Sequence, residues 1–469
     1  MPSYQNTAQE LLSYLKRQGP CLSSEVVARF GLSRQTLSRR VKEMGAAIVT
    51  IGKGRATKLA ARHPDGPGEV PLYQVQENGQ VELFGALHPL HAGTQIQWYL
   101  EPQKAPPALM QDEFKAGIYP GWPWFLEDLR PSGFLGRAFG QRMADLFQID
   151  TNPEKWTDLE LLTSLTGFGP NLQGNFIIGD SRSLTEFQNK KVQAAKGSYR
   201  HSAPTTYPEK AHAALNEGEE LGSSAGGEQP KFTTMVCDTP ETEPRAVIVK
   251  FSPSLKTSSV GQRWADLLQA EHIANQVLSE AGFPTASTRT FQFEDRAFLE
   301  SERFDRVGTA GRRGLITLRA LDAAYIGMGN GTWADAARKL YAGKWITFED
   351  RDRIIQLHCF GELIANTDMH WGNLSFFLPE QRPFPLAPVY DMLPMRFRPS
   401  STGEILDRTF EPKLPKPEDQ AAWLEMYPHA HTYWKHITEH SEITPSFKQI
   451  AEQAIKAIKR IHQIATGQP

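Results

Sequence analysis

Asp368, His370 and Asn373 stand close together in Asn366-Thr367-Asp368-Met369-His370-Trp371-Gly372-Asn373. A second acid follows in Pro388-Val389-Tyr390-Asp391-Met392. Phosphoryl transfer needs such groups. One carboxylate orients the attacking hydroxyl or accepts its proton, while an amide oxygen and a second carboxylate hold Mg²⁺ on the phosphates. Asp368, Asn373 and Asp391 fill these roles at a D-x₄-N…D spacing, and His370 reads as a support of the loop. Two other readings use the same residues. Asp368, His370 and Asp391 could hold a metal for hydrolysis, as in a nuclease or phosphatase. An Asx-rich turn between helix and strand would do no chemistry at all.

The elements that must position these groups are legible around them. A helical pattern (Ile354, Ile355, Leu357, His358, Phe360, Leu363, Ile364) precedes the polar loop, and an apolar strand, Leu374 to Leu378, follows it. Upstream, Gly222-Ser223-Ser224-Ala225-Gly226-Gly227-Glu228-Gln229-Pro230-Lys231 is a glycine-rich loop without the GK[ST] ending of a Walker P-loop. It leads into a hairpin-like pair, Phe232 to Cys237 and Ala246 to Phe251. Lys250 follows Val247-Ile248-Val249, where a kinase places its phosphate-binding lysine. The next helix has an apolar stripe of Trp264, Leu267, Leu268, Ala274 and Leu278, and Glu271 lies on that stripe. A carboxylate facing a core needs a partner, and Lys250 is the natural one. Two alternating strands follow, Ser287 to Phe293 and Arg296 to Glu302. The segment Glu302-Arg303-Phe304-Asp305-Arg306 then joins a sheet lobe to a helical lobe, where backbone groups can meet an adenine.

The 469 residues allow several domains, and 40% hydrophobic with 22% charged residues describes a folded chain. Net charge is −2, but residues 1–63 carry eleven Lys/Arg against three Glu, a local +8 that leaves −10 on the rest. A basic module for nucleic acid joined to an acidic body is the implied organisation. Within the module, Ala8, Leu11, Leu12 and Leu15 mark a first helix and Ser23 caps a second. Gly31-Leu32-Ser33 then turns into a third helix, Arg34 to Met44. That helix offers Arg34, Gln35, Ser38, Arg39 and Lys42 on its polar face. The hairpin after it, Ala47 to Ile51 and Ala56 to Ala60, carries Lys53 and Arg55 at its tip. The fold class is α+β: a winged helix-turn-helix (1–63), a linker (64–69), a region at 70–215, a sheet-rich lobe at 216–305 and a helical lobe at 306–469. DNA is the expected partner of the first unit. A small helical module that docks proteins through a solvated basic face is the other reading. The polar stretch from about Lys190 to Glu220 reads as a mobile connection. Cys21, Cys237 and Cys359 are too few and too far apart for a disulfide framework or a zinc site, and no segment reads as a signal peptide or membrane span. The expected location is the cytoplasm.

Taken in order, the pieces SSAGGEQPKF (223–232), VIVKF (247–251), Glu271, ERFDR (302–306), NTDMHWGNLSF (366–376) and VYDMLP (389–394) resemble the HipA family of bacterial serine/threonine kinases. These are toxins of type II toxin–antitoxin modules. Weaker similarity extends through 70–150. The resemblance implies an atypical two-lobe kinase fold, ATP and Mg²⁺ as cofactors and a protein substrate. By motif, Asp368 matches the catalytic Asp, Asn373 and Asp391 the metal ligands, and Lys250 the phosphate lysine with Glu271 as its partner. Glu302 and Phe304 match the hinge, and Gly226 and Gly227 the nucleotide loop. Family members autophosphorylate a serine in that loop. Ser224 is the match, with Ser223 as the alternative. The resemblance also implies a HipB-like antitoxin, although here a DNA-binding module is fused to the chain, as in a stand-alone branch of the family. Two other functions remain: a DNA-binding regulator whose kinase-like body senses a nucleotide, and a metal-dependent nuclease toxin.

Overall fold

A computed structural model describes residues 4–103, 109–110, 112–169, 172–195, 204–216, 229–238, 242–400 and 402–467. The N-terminal unit has helices Tyr4–Gln18, Ser23–Phe30 and Arg34–Met44, then strands Ile48–Ile51 and Lys58–Ala61. Leu11, Leu15, Val26 and Leu37 form its core with Ile48 and Leu59. The turn between the second and third helices works because Gly31 takes φ +59°, and Ser33 then caps the third helix by accepting from the Thr36 N–H at 3.1 Å. Ser23 is not a cap. It lies inside the second helix, and the Glu25 carboxylate accepts from the Leu22 N–H instead, at 3.1 Å. A two-residue strand, Cys21–Leu22, adds a third member to the sheet, which the alternation pattern was too short to reveal.

The proline- and glycine-rich stretch 64–69 does not hold this unit away from the rest. Val49, Ile51 and Ala60 pack on Leu90 and Tyr99 of the next sheet. The His63 N–H donates to Pro89 O at 2.9 Å, and the Gly93 N–H to Lys16 O at 2.8 Å. That next sheet has five antiparallel strands in the order Ile118–Tyr119, Gln95–Pro102, Val81–Ala92, Val70–Val75, Phe176–Ile178. Strand Val81–Ala92 is buried on both faces over Phe84 to Leu90, because Leu87 joins the main core while Leu90 meets the N-terminal unit.

The body that holds the candidate site begins with an antiparallel sheet ordered Thr288–Phe293, Arg296–Glu302, Arg245–Phe251, Lys231–Val236. Helix Ser259–Glu280 packs on it and buries Leu267, Leu268, Ala274, Leu278 and Glu271. The stretch read as a mobile connection contains helix Tyr207–Asn216. Its narrow stripe of Tyr207, Ala211 and Ala214 packs against Phe232, Val247 and Phe298. Three apolar positions in a polar background suffice once a sheet face awaits them. Beyond Arg306 the chain is mainly helical. Helices Trp333–Ala342, Phe348–Leu363, Gln420–Glu439 and Pro445–Thr466 bury Trp333, Phe360, Trp423 and Trp434 in one core.

Candidate active site

Lys250 organises the site. Its strand pairs with Lys231–Val236 in a register that sets Lys250 directly opposite Lys231. Like charges facing across a ladder repel, and both lysines are buried. Acids from other elements compensate. Helix Ser259–Glu280 brings Glu271, 1% exposed, so that Lys250 Nζ donates to Glu271 Oε1 and Oε2 at 2.7 Å each. The C-terminal half brings Asp391, which accepts from the same ammonium.

The charges are shaped accordingly. Burial opposes a charge on Lys250, but Asp391 and Glu271 outweigh it and hold the ammonium above the ordinary lysine range. Burial pushes the Glu271 carboxyl up against the pull of Lys250. Asp391 overcomes the same burial through Lys250 and Lys231 and sits below the usual carboxylate range. For Lys231 burial outweighs the pull of Asp391 and lowers its pKa to about 8. Asp391 is also one of the few non-glycine residues at positive φ, +54°. That costly conformation is over-determined by neighbours: the Ala286 N–H donates to Val389 O, and the Val389 N–H to Pro284 O, both at 2.9 Å.

The polar loop sits where helix Phe348–Leu363 ends. The Asn366 side chain accepts from the Asp368 N–H at 3.0 Å, and Asn373 Nδ2 donates to Asp368 O at 2.9 Å, so each end of the loop ties the other. His370 Nδ1 accepts from the Gly372 N–H at 3.0 Å, and burial lowers its pKa against the pull of Asp368. Through that bond the ring braces the loop. Tyr390 donates to Gly372 O at 2.7 Å and fastens the loop to the Asp391 segment. Among the described residues, no three His, Cys, Asp or Glu side chains gather into a metal-holding group.

Glu302, Phe304, Asn373 and Asp391 line one cavity together with Lys231, Lys250, Ile248, Leu315 and Tyr390. It opens into a cleft of about 850 Å³ that also contains Asp368 and His370. The cavity combines an apolar slot, two ammonium groups and two oxygen donors, an amide and a carboxylate. That set suits a nucleotide with its Mg²⁺, since hard cations take oxygen ligands. The sequence-derived residues Asp368, Lys250, Glu271, Glu302, Phe304, Asn373 and Asp391 are therefore brought together. Gly226, Gly227, Ser223 and Ser224 lie outside the described residues. Arg34, Gln35, Ser38, Arg39, Lys42, Lys53 and Arg55 are exposed on the N-terminal unit, remote in sequence from this cleft.

Four cleft residues had no role assigned from sequence. Lys231 was visible in the loop motif and its position follows from the hairpin register. Tyr390 precedes Asp391 and could have been grouped with it. Asp128 and Arg319 carry no local signal. Asp128 reaches the cleft from the five-stranded region and accepts from the Thr317 N–H and Oγ1 at 2.7 and 2.6 Å. Burial raises it to about 6.

Comparison with known proteins now decides the kinship. Residues 67–187 match the YjjJ-like toxin middle domain, and residues 223–464 the HipA-like C-terminal domain. The chain is 35% identical over 457 residues to Toxin YjjJ of Escherichia coli (strain K12), covering 96% of this chain and 98% of that one. This chain belongs to the HipA-like toxin family. The HipA-like fold is shared with a chain of the Shewanella oneidensis MR-1 toxin–antitoxin complex of HipA, HipB and operator DNA. The TM-score is 0.52 at 13% identity, over 85% of this chain and 98% of that one. The middle-domain match coincides with the five-stranded region and its helices, and the HipA-like match contains the whole Lys250 site.

With reductively ¹³C-methylated protein, one lysine resonance should titrate near pH 8 and vanish in Lys231→Met. A Lys231 midpoint at or above the free-lysine value would contradict the burial assigned to it.

Proposed function

We propose that this HipA-like protein is an ATP- and Mg²⁺-dependent serine/threonine protein kinase that acts as a growth-arresting toxin and carries its own DNA-binding unit. The observation that supports this best is the convergence of Lys250, Glu271, Asn373 and Asp391 beside Asp368 in one cleft. In this reading Glu271 holds the Lys250 ammonium toward the phosphates, while Lys231 adds a second positive charge. Asn373 and Asp391 supply the oxygen ligands for Mg²⁺. Ile248, Leu315 and Phe304 bracket the base, and Asp368 takes the proton from the acceptor hydroxyl. Bound ATP would supply the phosphoryl group, and its metal would neutralise the phosphate charge. Gly226 and Gly227 would cover the phosphates, with Ser224 as the autophosphorylation site.

The N-terminal unit favours DNA as its partner because its third helix leaves Arg34, Gln35, Ser38, Arg39 and Lys42 exposed, and Lys53 and Arg55 are exposed at the hairpin tip. We assign it as a winged helix-turn-helix spanning 1–63. An antitoxin of the HipB kind is a further partner to be sought, since HipB and operator DNA accompany HipA in the structural relative.

In assays with [γ-³²P]ATP and Mg²⁺, Asp368→Asn should abolish phosphoryl transfer and leave ATP affinity within about twofold, because the group acts on the acceptor. Asp391→Asn should weaken Mg·ATP binding itself. Undiminished autophosphorylation in both variants, or metal-dependent DNA cleavage without ATP, would overturn the assignment. For DNA, Lys53→Ala with Arg55→Ala should weaken binding to all sequences alike. It should also flatten the slope of log K against log salt by roughly one unit per lost phosphate contact. Arg34→Ala or Gln35→Ala should instead reduce discrimination between sequences by ~1–3 kcal/mol per lost bidentate contact. Point substitutions suit this test better than truncation, because removing 1–63 would strip cover from Leu90 and Tyr99. An unchanged salt slope would assign the unit to protein docking.

A further inference from the structure

Gln173 lies within the middle-domain match, residues 67–187, yet it lines the nucleotide cavity of the HipA-like part. It also lines the larger cleft that contains Asp368, so it stands where the two meet. Lys231, Lys250 and Asp391 share that position, and they carry the charges that suit phosphates and Mg²⁺. Gln173 brings a neutral amide instead, from a separate part of the chain.

The backbone on both sides of Gln173 is fixed to the segment that follows Phe304. The Gly174 N–H donates to Asp305 Oδ2 at 3.0 Å, and Arg306 Nη1 donates to Gly174 O at 2.9 Å. Arg306 Nη2 donates to Leu172 O, and the Leu172 side chain is buried in the main core. Asp305 is held in turn by two bonds from Arg303, at 2.9 and 2.8 Å. Gly174 sits at φ +73°, where a side chain would be strained, so the turn that presents Gln173 favours glycine beside it.

The side chain itself is uncommitted. Gln173 is half-buried, and among the described residues no hydrogen bond engages its amide. An amide offers two N–H donors and a carbonyl acceptor. Ligand cavities orient their occupant with a few such groups, and a rigid frame leaves little ordering cost for binding. A nucleotide with its base beside Phe304 and its phosphates beside Lys231 and Lys250 has its sugar between them. That is the junction that Gln173 lines. The two ribose hydroxyls each donate and accept, and the amide can answer both.

We propose that Gln173 binds the ribose of the nucleotide and thereby favours a ribonucleotide over its deoxy counterpart. This rests on the ATP-binding reading above and adds a specificity-determining residue to it. The sugar is a better partner than the phosphates, because a neutral amide is a weaker match for an anion than the two neighbouring ammonium groups. It is a better partner than the base, which the backbone of Glu302 and Phe304 already meets in that reading. The middle domain then completes the nucleotide site, which the HipA-like part alone would leave open at the sugar.

The test is calorimetry on the full chain with Mg²⁺ and ATP, 2′-deoxy-ATP or 3′-deoxy-ATP. The wild type should bind ATP about three- to tenfold more tightly than at least one deoxy form, the range that one neutral hydrogen bond allows. Gln173→Ala should weaken ATP by about that factor and leave the same deoxy form nearly unaffected, so that the ratio falls to about one. Gln173→Glu still accepts from a hydroxyl and should keep most of the ratio, although its added charge lowers every affinity. Because the readout is a ratio of dissociation constants within one variant, a partly unfolded sample leaves it in place. No ribose preference in the wild type, an undiminished preference in Gln173→Ala, or an equal loss for ATP and both deoxy forms would overturn the inference and leave the ATP-binding reading standing. Absence of binding of all three nucleotides by the wild type would overturn both.

Discussion

The ammonium of Lys250 is the constraint on which the rest of the site depends. It is buried opposite a second buried lysine, and neither charge could stay there without carboxylates delivered from elsewhere. Glu271 comes from the helix behind the sheet and Asp391 from the far side of the cleft. Forming the Lys250 cluster therefore fixes three separate parts of the chain relative to one another. This is why so much of the body is built around it: a helix with a carboxylate in its apolar stripe, an aspartate held at positive φ, and a tyrosine that ties the Asp391 segment to the Asp368 loop.

The middle domain has a comparable role on the outer side of the cleft. Its aromatic core, with Trp98, Phe125 and Phe176, is continuous with that of the helical lobe, so its edge is a rigid wall. Asp128 crosses from that wall to Thr317 and sets the start of a helix in the HipA-like part. The N-terminal unit in turn leans on the outer face of the same sheet. The three regions thus form a chain of contacts from the basic surface to the cleft.

The legible parts were those with local signals. Glu271 on an apolar helix stripe demanded a cation, and Lys250 at the end of a buried strand was the available one. The caps and the glycine turn made the third basic helix readable, because Ser33 and Gly31 act within a few residues of their partners. What stayed hidden depended on distant partners. Asp128 and Thr317 are 189 positions apart, and nothing near either announces the other. Helix Tyr207–Asn216 offers three small or aromatic positions that mean little until the sheet is present. The docking of the N-terminal unit did leave a trace. Ile48-Val49-Thr50-Ile51 and Leu59-Ala60-Ala61 are apolar toward both faces, a pattern of strands covered on two sides. The Pro/Gly stretch at 64–69 outweighed it by suggesting separation.

A double-mutant cycle at Lys250 and Glu271, read as unfolding free energy in denaturant, measures how far the two buried charges depend on each other. Lys250→Met alone should cost about 3–5 kcal/mol, because it strands Glu271 and Asp391 as buried charges without their cation. Adding Glu271→Leu should return a large part of that loss, so that the double variant is far more stable than the sum of the two single losses predicts. Additive losses would contradict the account, for they would mean that the buried lysine and glutamate do not depend on each other.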